Sequence, residues 1–396
     1  MRNDAITVTL DLEGFRVVET IETPHAIVIV IETTIPAGVC PRCGHASAEG
    51  KGRRDRVLRH LPVLGRPSWV RWRRRAFLCR GCGHRFLERH ASVPPRVRAT
   101  PALERYLYRR TRPGMVSLSY VARTEGVSFY RVQRAHSLGA AGELGGRLGV
   151  VRFLSVDEAL FGRGQDFNTV ISAPEQGQVL DLVRGRGDAD LEGWALGLPA
   201  AFREGVEVFC ADMWEPYHRL AARFFPAAVR VADKFHVLRR AALALDRVRL
   251  DAQRRAGRGR RHRPHHARRA LLKGAESLTD GQTEQLRRLF SEHPEIEHAW
   301  RLKESVRVLY MLSEPEEITR VFEDLCFACS TSPFPSFRAL ARTLRQWREE
   351  ILAYFSDPVT NAFAEGITNK VKVIKRVGFG YRSFERFRER VLVACR

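Results

Sequence analysis

The chain lacks any long apolar run. Its longest, AIVIVI at residues 26–31, has the length of a strand, whereas a helix that spans a bilayer needs about 20 apolar residues. The first residues, MRNDAITVTLDLEG, also lack the basic start and apolar core of a secretory signal. We therefore expect a cytoplasmic protein with no membrane partner.

Negative charge is also scarce. The 396 residues contain 45 Asp and Glu against 67 Lys and Arg, which gives a net charge of +22. A surface this cationic attracts polyanions, so nucleic acid is the expected partner. The hydrophobic fraction of 44% is enough for packed cores, which excludes a disordered chain, and the length suits two or three domains.

Cysteines are few, and four of the eight occur in two CxxC pairs followed by glycine, CPRCG at 40–44 and CRGCG at 79–83; the third CxxC pair, Cys326 and Cys329, falls in a helical segment and indicates core packing. In a reducing compartment the spacing of the first two pairs indicates metal rather than disulfides. The Gly after each of them lets the backbone turn around a tetrahedral ion. The alternative is that two such pairs occur by chance. We predict a structural Zn²⁺ site in a β-rich domain over residues 1–95, with the ligands Cys40, Cys43, Cys79 and Cys82.

Aromatic and basic residues alternate in SWVRWRRRAFL, between the two cysteine pairs. The alternation predicts a strand, and this mixture of side chains suits contact with phosphate groups. A solvated strand face is the alternative. The candidate DNA contacts here are Trp69, Arg71, Arg73, Arg74 and Arg75.

A helix-turn-helix is predicted within residues 96–147. In SLSYVARTEGVSFYRVQRAH, Ala122 is followed by Gly126 and then by Val132, which matches a small residue between two helices, a turn glycine and an apolar anchor. An ordinary two-helix corner has the same pattern and remains the alternative. The residues that would face a major groove are Ser128, Tyr130, Arg131, Gln133 and Arg134.

From residue 148 the pattern changes to an α/β domain that runs to 396. VRFLSVD, FNTVISAP and QVLDLVRG predict three consecutive strands, and a helix, a strand (VEVFCAD), a helix, a strand (AVRVADKF) and a helix follow. This is the order of a ribonuclease-H-like fold. Helical periodicity over about 250–355 predicts an α-helical insertion. The whole chain is thus a multidomain α+β and α/β protein.

Acidic residues follow two of these strands. Asp157 is expected to end the first strand and Asp212 the fourth, and these strands are neighbours at the centre of such a sheet. Glu365, on a late helix, is the expected third carboxylate. On that helix Ile367, Val371 and Ile374 share an apolar face. Basic and polar residues beside Glu365 are expected to face a phosphate backbone, namely Asn369, Lys372, Lys375 and Arg376.

Three converging carboxylates repel one another unless cations neutralise them, so the cluster implies a metal site. Oxygen ligands select Mg²⁺ or Mn²⁺. Two such ions activate a water or a 3′-hydroxyl and stabilise the leaving oxygen in an attack on phosphorus. The predicted chemistry is therefore that of a nuclease or a strand-transfer enzyme.

The chain resembles the DDE transposases of bacterial insertion sequences, in particular the ISL-three type. The resemblance covers nearly the whole chain and rests on CPRCG and CRGCG, SVDE at 155–158, ADMWEPY at 211–217, PAAVRVADKFHV at 226–237 and AEGITNKVKVIKRVGFGYRSFERFRERVL at 364–392. It implies a transposase that binds terminal inverted repeats of double-stranded DNA, cleaves the element's ends and joins them to target DNA as a dimer or larger assembly. It also implies that Asp157, Asp212 and Glu365 are the catalytic residues. Thr368 stands where the family has Asn, and because Asn369 is adjacent we expect activity to persist.

Several neighbours of the acids have two interpretations each. Glu158 either supports the metal site or is solvated. Asp233 and His236 either touch metal or DNA, or they are a helix cap and a packed histidine. Trp214 and Tyr217, just after Asp212, either stack on a displaced base or pack in the core.

Two other functions remain in competition. The first is an inactive or domesticated transposase that acts as a sequence-specific DNA-binding regulator, which the presence of all three acids disfavours. The second is a zinc-ribbon RNA-binding protein without catalysis, which leaves the acids without a purpose.

Overall fold

The computed structural model describes residues 10, 12–36, 38–46, 48–146, 149–160, 167–255, 262–356 and 362–396, without the side chains of residues 48, 160, 262, 263, 362, 364 and 365. The chain divides into two compact units. The first comprises Met1–Gly146 with Val373–Ala394, and the second comprises Arg147–Lys372 with Cys395–Arg396. Within the described ranges, every helix is too short or too polar to cross a bilayer.

A five-stranded sheet forms the first part of the first unit. Its strands are β1 (Phe15–Thr23), β2 (Ala26–Thr33), β3 (Ala48–Val63), β4 (Arg66–Cys79) and β5 (Arg85–Leu87). The order is β1-β2-β4-β3, with β5 on β4, and only the β2–β4 pair is parallel. Alternating apolar residues fill one face, where Ile31, Leu58, Val70 and Trp72 are fully buried. The β-rich region predicted around the cysteines is confirmed.

Helices form the other part of the first unit. They are α1 (Pro101–Thr111), α2 (Leu118–Thr124), α3 (Phe129–Leu144) and, from the end of the chain, α16 (Phe384–Ala394). Thr100, Ser117 and Ser128 cap the first three through their side-chain hydroxyls. β3 contacts α1, so the sheet and these helices belong to one compact unit. The domain boundary at residue 95 stays a prediction.

The second unit contains a mixed sheet of the order β10-β9-β6-β7-β8. Its strands are β6 (Phe153–Leu160), β7 (Phe167–Ala173), β8 (Gln178–Arg184), β9 (Val208–Ala211) and β10 (Val229–Ala232). β6, β7 and β8 pair antiparallel, whereas β6, β9 and β10 pair parallel. The connections contain α4 (Asp188–Leu196), α5 (Ala200–Glu204), α6 (Glu215–Phe224) and α7 (Lys234–Arg255). The predicted succession of strands and helices is confirmed, with α5 as an additional short helix.

One boundary was predicted wrongly. Asp157 does not end its strand, because β6 continues to Leu160 through antiparallel pairing with β7. What ends just before Asp157 is the parallel pairing of β6 with β9, whose last pair is Val156 with Ala211.

The rest of the second unit is helical in its described part, as predicted. It comprises α8 (His262–His266), α9 (Arg268–Leu272), α10 (Asp280–Glu292), α11 (Pro294–Leu309), α12 (Pro315–Thr331), α13 (Pro335–Gln346) and α14 (Arg348–Ser356). Proline occupies the first turn of α11, α12 and α13, where its missing N–H is no loss. α15 (Ala362–Val377) follows, and the division between the two units falls after Lys372 of this helix.

Candidate functional site

The four predicted zinc ligands come together in the first unit. Their sulfur atoms all lie within 4.8 Å of one another, and the Cys40–Cys82 and Cys43–Cys79 pairs have Sγ–Sγ distances of 3.8 and 3.5 Å. A tetrahedral Zn²⁺ with bonds of about 2.3 Å separates its sulfur ligands by about 3.8 Å. The two knuckles repeat the same geometry, because Gly44 and Gly83 take a positive φ and donate their N–H groups back to Cys40 and Cys79. The donor set therefore fits zinc.

The first three candidate DNA contacts on β4 are half-buried. The ring of Trp69 is covered by the guanidinium of Arg59, 4.6 Å from the ring centroid. Arg73 forms an ion pair of 3.1 Å with Glu19. Arg71 lies between Trp69 and Arg73 in sequence. The side chains of Trp69, Arg71 and Arg73 are thus partly exposed to solvent on the sheet surface.

Arg74 and Arg75 are held by Glu88. Arg74 donates from Nη2 to the Glu88 carbonyl oxygen at 2.7 Å, and Arg75 forms an ion pair with the carboxylate at 2.5 Å. Arg75 also donates to the carbonyl oxygen of Ile35. Both guanidinium groups thus have partners inside the unit, which the alternating sequence pattern did not predict.

The predicted helix-turn-helix corresponds to α2, a turn and α3. Gly126 has φ = +60° in the turn, and Ala122 and Val132 are buried between the helices, as the spacing predicted. Ser128 caps α3, and its side chain accepts from the Arg131 N–H at 3.3 Å. Tyr130 is 73% exposed.

Three further candidates lie along α3. Arg134 is exposed, and Arg131 forms an ion pair with Glu104 at 3.5 Å. The side-chain oxygen of Gln133, in the amide orientation that satisfies both groups, accepts from Arg386 at 2.7 Å. Gln133 is therefore linked to α16, a contact that sequence reasoning missed.

Helix α16 packs on α3. Arg390 is buried and donates to the carbonyl oxygens of Thr111 and Val116, and Ser137 donates to Glu389 at 2.9 Å. No residue pattern indicates that the end of the chain returns to these helices, because such contacts join residues more than 250 positions apart.

The two candidate catalytic aspartates belong to adjacent strands of the second unit, Asp157 within β6 and Asp212 directly after β9. The partners Val156 and Ala211 of the parallel β6–β9 pair directly precede Asp157 and Asp212. Asp157 Oδ1 accepts from the Glu158 N–H at 2.8 Å, and Oδ2 accepts from the hydroxyl of Thr368 at 2.6 Å. Burial raises the pKa of Asp157, although these two hydrogen bonds oppose it. A buried carboxylate of this kind favours a nearby cation.

Asp212 has an unsatisfied oxygen. Its Oδ1 atom is buried without a hydrogen-bond partner among the described residues, and Oδ2 lies 3.8 Å from Nε2 of His236. A buried acceptor without a donor suits a cation ligand.

Asp233 follows β10, on the other side of β9. It accepts from the Phe235 N–H at 3.1 Å and lies 2.8 Å from Nδ1 of His236. Burial lowers the pKa of His236, but the bond to Asp233 and the charges of Asp212 and Asp157 outweigh it, so the net pKa is raised. Asp233 thus acts as a helix cap that also orients His236 toward Asp212.

Glu365 falls outside the described side chains, so the third carboxylate stays a prediction. Its position in α15 is one turn before Thr368, the residue that contacts Asp157. The apolar face predicted for α15 is buried at Ile367, Val371 and Ile374, and of the described polar residues Asn369, Lys372 and Arg376 are exposed and Lys375 is half-buried. In the described part of the chain, only the four cysteines form a group of three or more metal-ligand side chains as close as 4.8 Å.

Comparisons with known proteins match both the region of the four cysteines and the region of the two aspartates. Residues 154–391 match the ISL3 family of DDE transposases, and residues 36–82 match the zinc finger of transposases of IS204, IS1001, IS1096 and IS1165. The chain is 25% identical to the transposase for insertion sequence element IS1001 of Bordetella parapertussis over 380 residues, which covers 93% of each chain. It is also 25% identical over 260 residues to the transposase for IS1557 of Mycobacterium tuberculosis, which covers 60% of this chain and 58% of that one.

Proposed function

The chain belongs to the ISL3 family of DDE transposases, and from this premise we propose that it binds the terminal inverted repeats of its element, cleaves the DNA at the ends and joins them to target DNA. The observation that carries the proposal is that Asp157 and Asp212 directly follow the last paired residues of the parallel β6–β9 pair, and that Thr368 of α15 donates a hydrogen bond to Asp157. The comparisons do not favour the alternative of a DNA-binding regulator, since the relatives of this chain are named as transposases.

We assign catalysis to Asp157, Asp212 and Glu365 in a ribonuclease-H-like domain. The sheet order β10-β9-β6-β7-β8, with parallel strands on one side of β6, supports that fold. The buried Asp157 and the unsatisfied Oδ1 of Asp212 support divalent metal. Two Mg²⁺ or Mn²⁺ ions, when bound, would activate the attacking oxygen and stabilise the leaving one. The three carboxylates would hold these ions, and the basic side chains of α15 would bind the DNA backbone.

We place the DNA-binding functions in the first unit. The helix-turn-helix would contact bases and phosphates through Ser128, Tyr130, Arg131, Gln133 and Arg134, and β4 would add phosphate contacts. Two DNA ends must be held together for joining, which supports a dimer or larger assembly. A chromosomal DNA substrate would place the protein in the bacterial cytoplasm, at the nucleoid.

The test of the function uses duplexes that carry the two ends of the element that encodes this chain. Purified protein is incubated with labelled duplex and Mg²⁺ or Mn²⁺, and nicked and joined products are separated by size. We expect 3′-hydroxyl ends and strand-transfer products. Specific binding without cleavage under any metal condition would favour the regulator instead.

Thr368→Val should weaken cleavage about tenfold while leaving DNA binding unchanged. The valine has the same shape but cannot donate to Asp157, so this carboxylate loses one of the two hydrogen bonds that orient it. The measurement is the single-turnover cleavage rate as a function of Mg²⁺ concentration.

Thr368→Ser is the matched control, because it keeps the hydroxyl and should keep the rate. Equal rates for the Val and Ser variants would show that the bond to Asp157 does not matter for catalysis.

Arg134→Ala should weaken repeat binding and reduce the salt dependence of binding by about one counterion. Arg134 is exposed on α3, whereas the control Arg109 is exposed on α1, outside the α2–α3 pair. Binding is measured by fluorescence anisotropy from low to moderate salt. If Arg109→Ala lowers the affinity and the salt slope as much as Arg134→Ala does, α3 is not the principal DNA-contacting helix.

A further inference from the structure

Trp214 is an exposed aromatic residue beside a candidate catalytic aspartate. It follows Asp212 by two positions and is 38% exposed. Among the described residues, it is part of none of the hydrophobic clusters of the second unit. Core packing therefore does not explain a tryptophan at this position.

The indole ring is nevertheless held in one orientation. The backbone N–H of Trp214 donates to the Asp212 carbonyl oxygen at 2.7 Å, and its Nε1–H donates to the Arg186 carbonyl oxygen at 3.3 Å. The guanidinium of Arg186 lies 4.4 Å from the indole ring centroid and 3.8 Å from the ring centroid of Phe167. A large exposed ring fixed in this way loses little entropy when it binds a flat ligand.

Arg186 connects this ring to the other candidate catalytic aspartate. Its Nη1 atom forms an ion pair of 2.6 Å with Glu158, the residue after Asp157. Glu158 therefore has a role that neither earlier interpretation named: it forms an ion pair with the arginine that stacks on Trp214. The stack is thus linked to both aspartates, to Asp212 through the backbone of Trp214 and to the residue after Asp157 through the ion pair with Glu158.

Tyr217, three residues after Trp214, is by contrast an aromatic residue that packs in the core. It is 1% exposed, and its hydroxyl lies 3.2 Å from the hydroxyl of Thr169. Of the two aromatic residues that follow Asp212, Tyr217 belongs to the core and Trp214 does not.

We propose that Trp214 stacks on an unpaired nucleobase of the DNA strand next to the cleaved phosphodiester, and that Arg186 is a positioning residue for the indole ring. This inference rests on the proposed function, because it concerns DNA at the same site. Every base presents a flat face, so the contact tolerates any base identity, and its energy would stabilise a nucleotide that has left the duplex.

The first experiment measures cleavage of fully paired DNA ends by variants. Trp214→Ala should lower the cleavage rate by on the order of 10- to 100-fold, the range expected for one base stack. Trp214→Phe should retain most of the rate, and Arg186→Lys, which keeps the charge but loses the planar stack, should fall between them. Unpairing the base beside the cleavage position should partly rescue Trp214→Ala, a response that a purely structural defect would not give.

Phe327→Ala is the matched control, since this aromatic is 67% exposed on α12 in the helical insertion. Its cleavage rate should equal that of the wild type. If Trp214→Ala also cleaves at the wild-type rate, the proposal is overturned.

The second experiment separates this inference from cleavage. A duplex end with an unpaired 2-aminopurine beside the cleavage position is bound without added divalent cation, and its fluorescence is measured. The wild type should quench the probe by stacking, and Trp214→Ala should not. Quenching without cleavage under any condition would retain the base contact and reject the transposition chemistry, whereas equal fluorescence with both proteins would reject the base contact.

Discussion

Asp212→Asn is expected to lower the rate of strand cleavage by about 10³-fold or more while repeat binding stays within about twofold. The substitution keeps the shape of the side chain but removes the charge that would hold a metal ion, and metal ions supply several kcal/mol of transition-state stabilisation in this chemistry. The buried Oδ1 atom of Asp212 has no hydrogen-bond donor among the described residues, so the folded state should tolerate the amide. Cleavage is measured in single-turnover reactions, and binding is measured by anisotropy on the same duplex.

Asp188→Asn is the matched control for this variant. Asp188 lies on α4 of the same unit, is exposed, and forms an ion pair of 2.9 Å with Arg219. Loss of an exposed pair costs at most about 1 kcal/mol of stability, so cleavage should be unaffected. A wild-type rate for Asp212→Asn, or an equal loss in Asp188→Asn, would contradict the assignment of Asp212.

The aspartates should also act as one unit. If Asp157 and Asp212 hold the same ions, the variant with both substitutions should be little slower than either single variant, because each alone already removes the site. Multiplying losses would instead indicate independent roles. Since Asp157 accepts from Thr368 and Asp212 does not, Asp157→Asn is the variant that also changes the contact with α15.

The placement of the two aspartates was predictable from the sequence because strand order determines neighbours in a sheet. The runs that precede Asp157 and Asp212 are apolar enough to indicate buried strands, and parallel neighbours bring corresponding ends together. The end of β6 was predicted wrongly, since its last residues pair only with β7 and an acidic residue in a strand resembles a strand end. A residue pattern does not show whether a strand residue pairs with a neighbouring strand on one side or on both.

The partners of charged residues were much harder to predict. The β4 arginines suggested a DNA surface, but Glu88 holds Arg74 and Arg75 through contacts set by the β4–β5 pairing and the segment after it. The buried Arg390 similarly depends on where α16 packs. A basic residue has the same sequence signal whether its partner is a phosphate or a carboxylate, and long-range packing decides between them.

The cysteine cluster was predictable because its signal is local: each CxxC pair is followed by a glycine, Gly44 or Gly83, whose positive φ forms the knuckle.

Cys79→Ser should remove the bound zinc and destabilise the first unit, lowering its melting temperature by roughly 10 °C or more. Structural zinc contributes on the order of 10 kcal/mol of apparent binding energy in small zinc domains, and a three-ligand site retains little of it. Zinc content is measured by elemental analysis, and unfolding by calorimetry.

Cys326→Ala is the control, because this buried cysteine of α12 belongs to the helical core and to no ligand group among the described residues. It should keep one zinc per chain and lose only the small amount of packing energy of a sulfur atom. An unchanged zinc content in Cys79→Ser would refute the four-cysteine site.

Loss of zinc should also abolish repeat binding, although the cysteines lie outside the helix-turn-helix. β3 pairs with β4, the strand that ends at Cys79, and it also supports α1: the Thr100 N–H donates to the Arg59 carbonyl oxygen at 2.9 Å, and His60 Nδ1 lies 2.8 Å from the Thr100 hydroxyl. Thr100 caps α1, whose buried residues pack with those of α2 and α3. Bound zinc would therefore stabilise the sheet that supports the helices we propose to bind DNA, and a chelator should reduce repeat affinity in step with the loss of zinc. If affinity persists after zinc is gone, the helices fold and bind without the sheet.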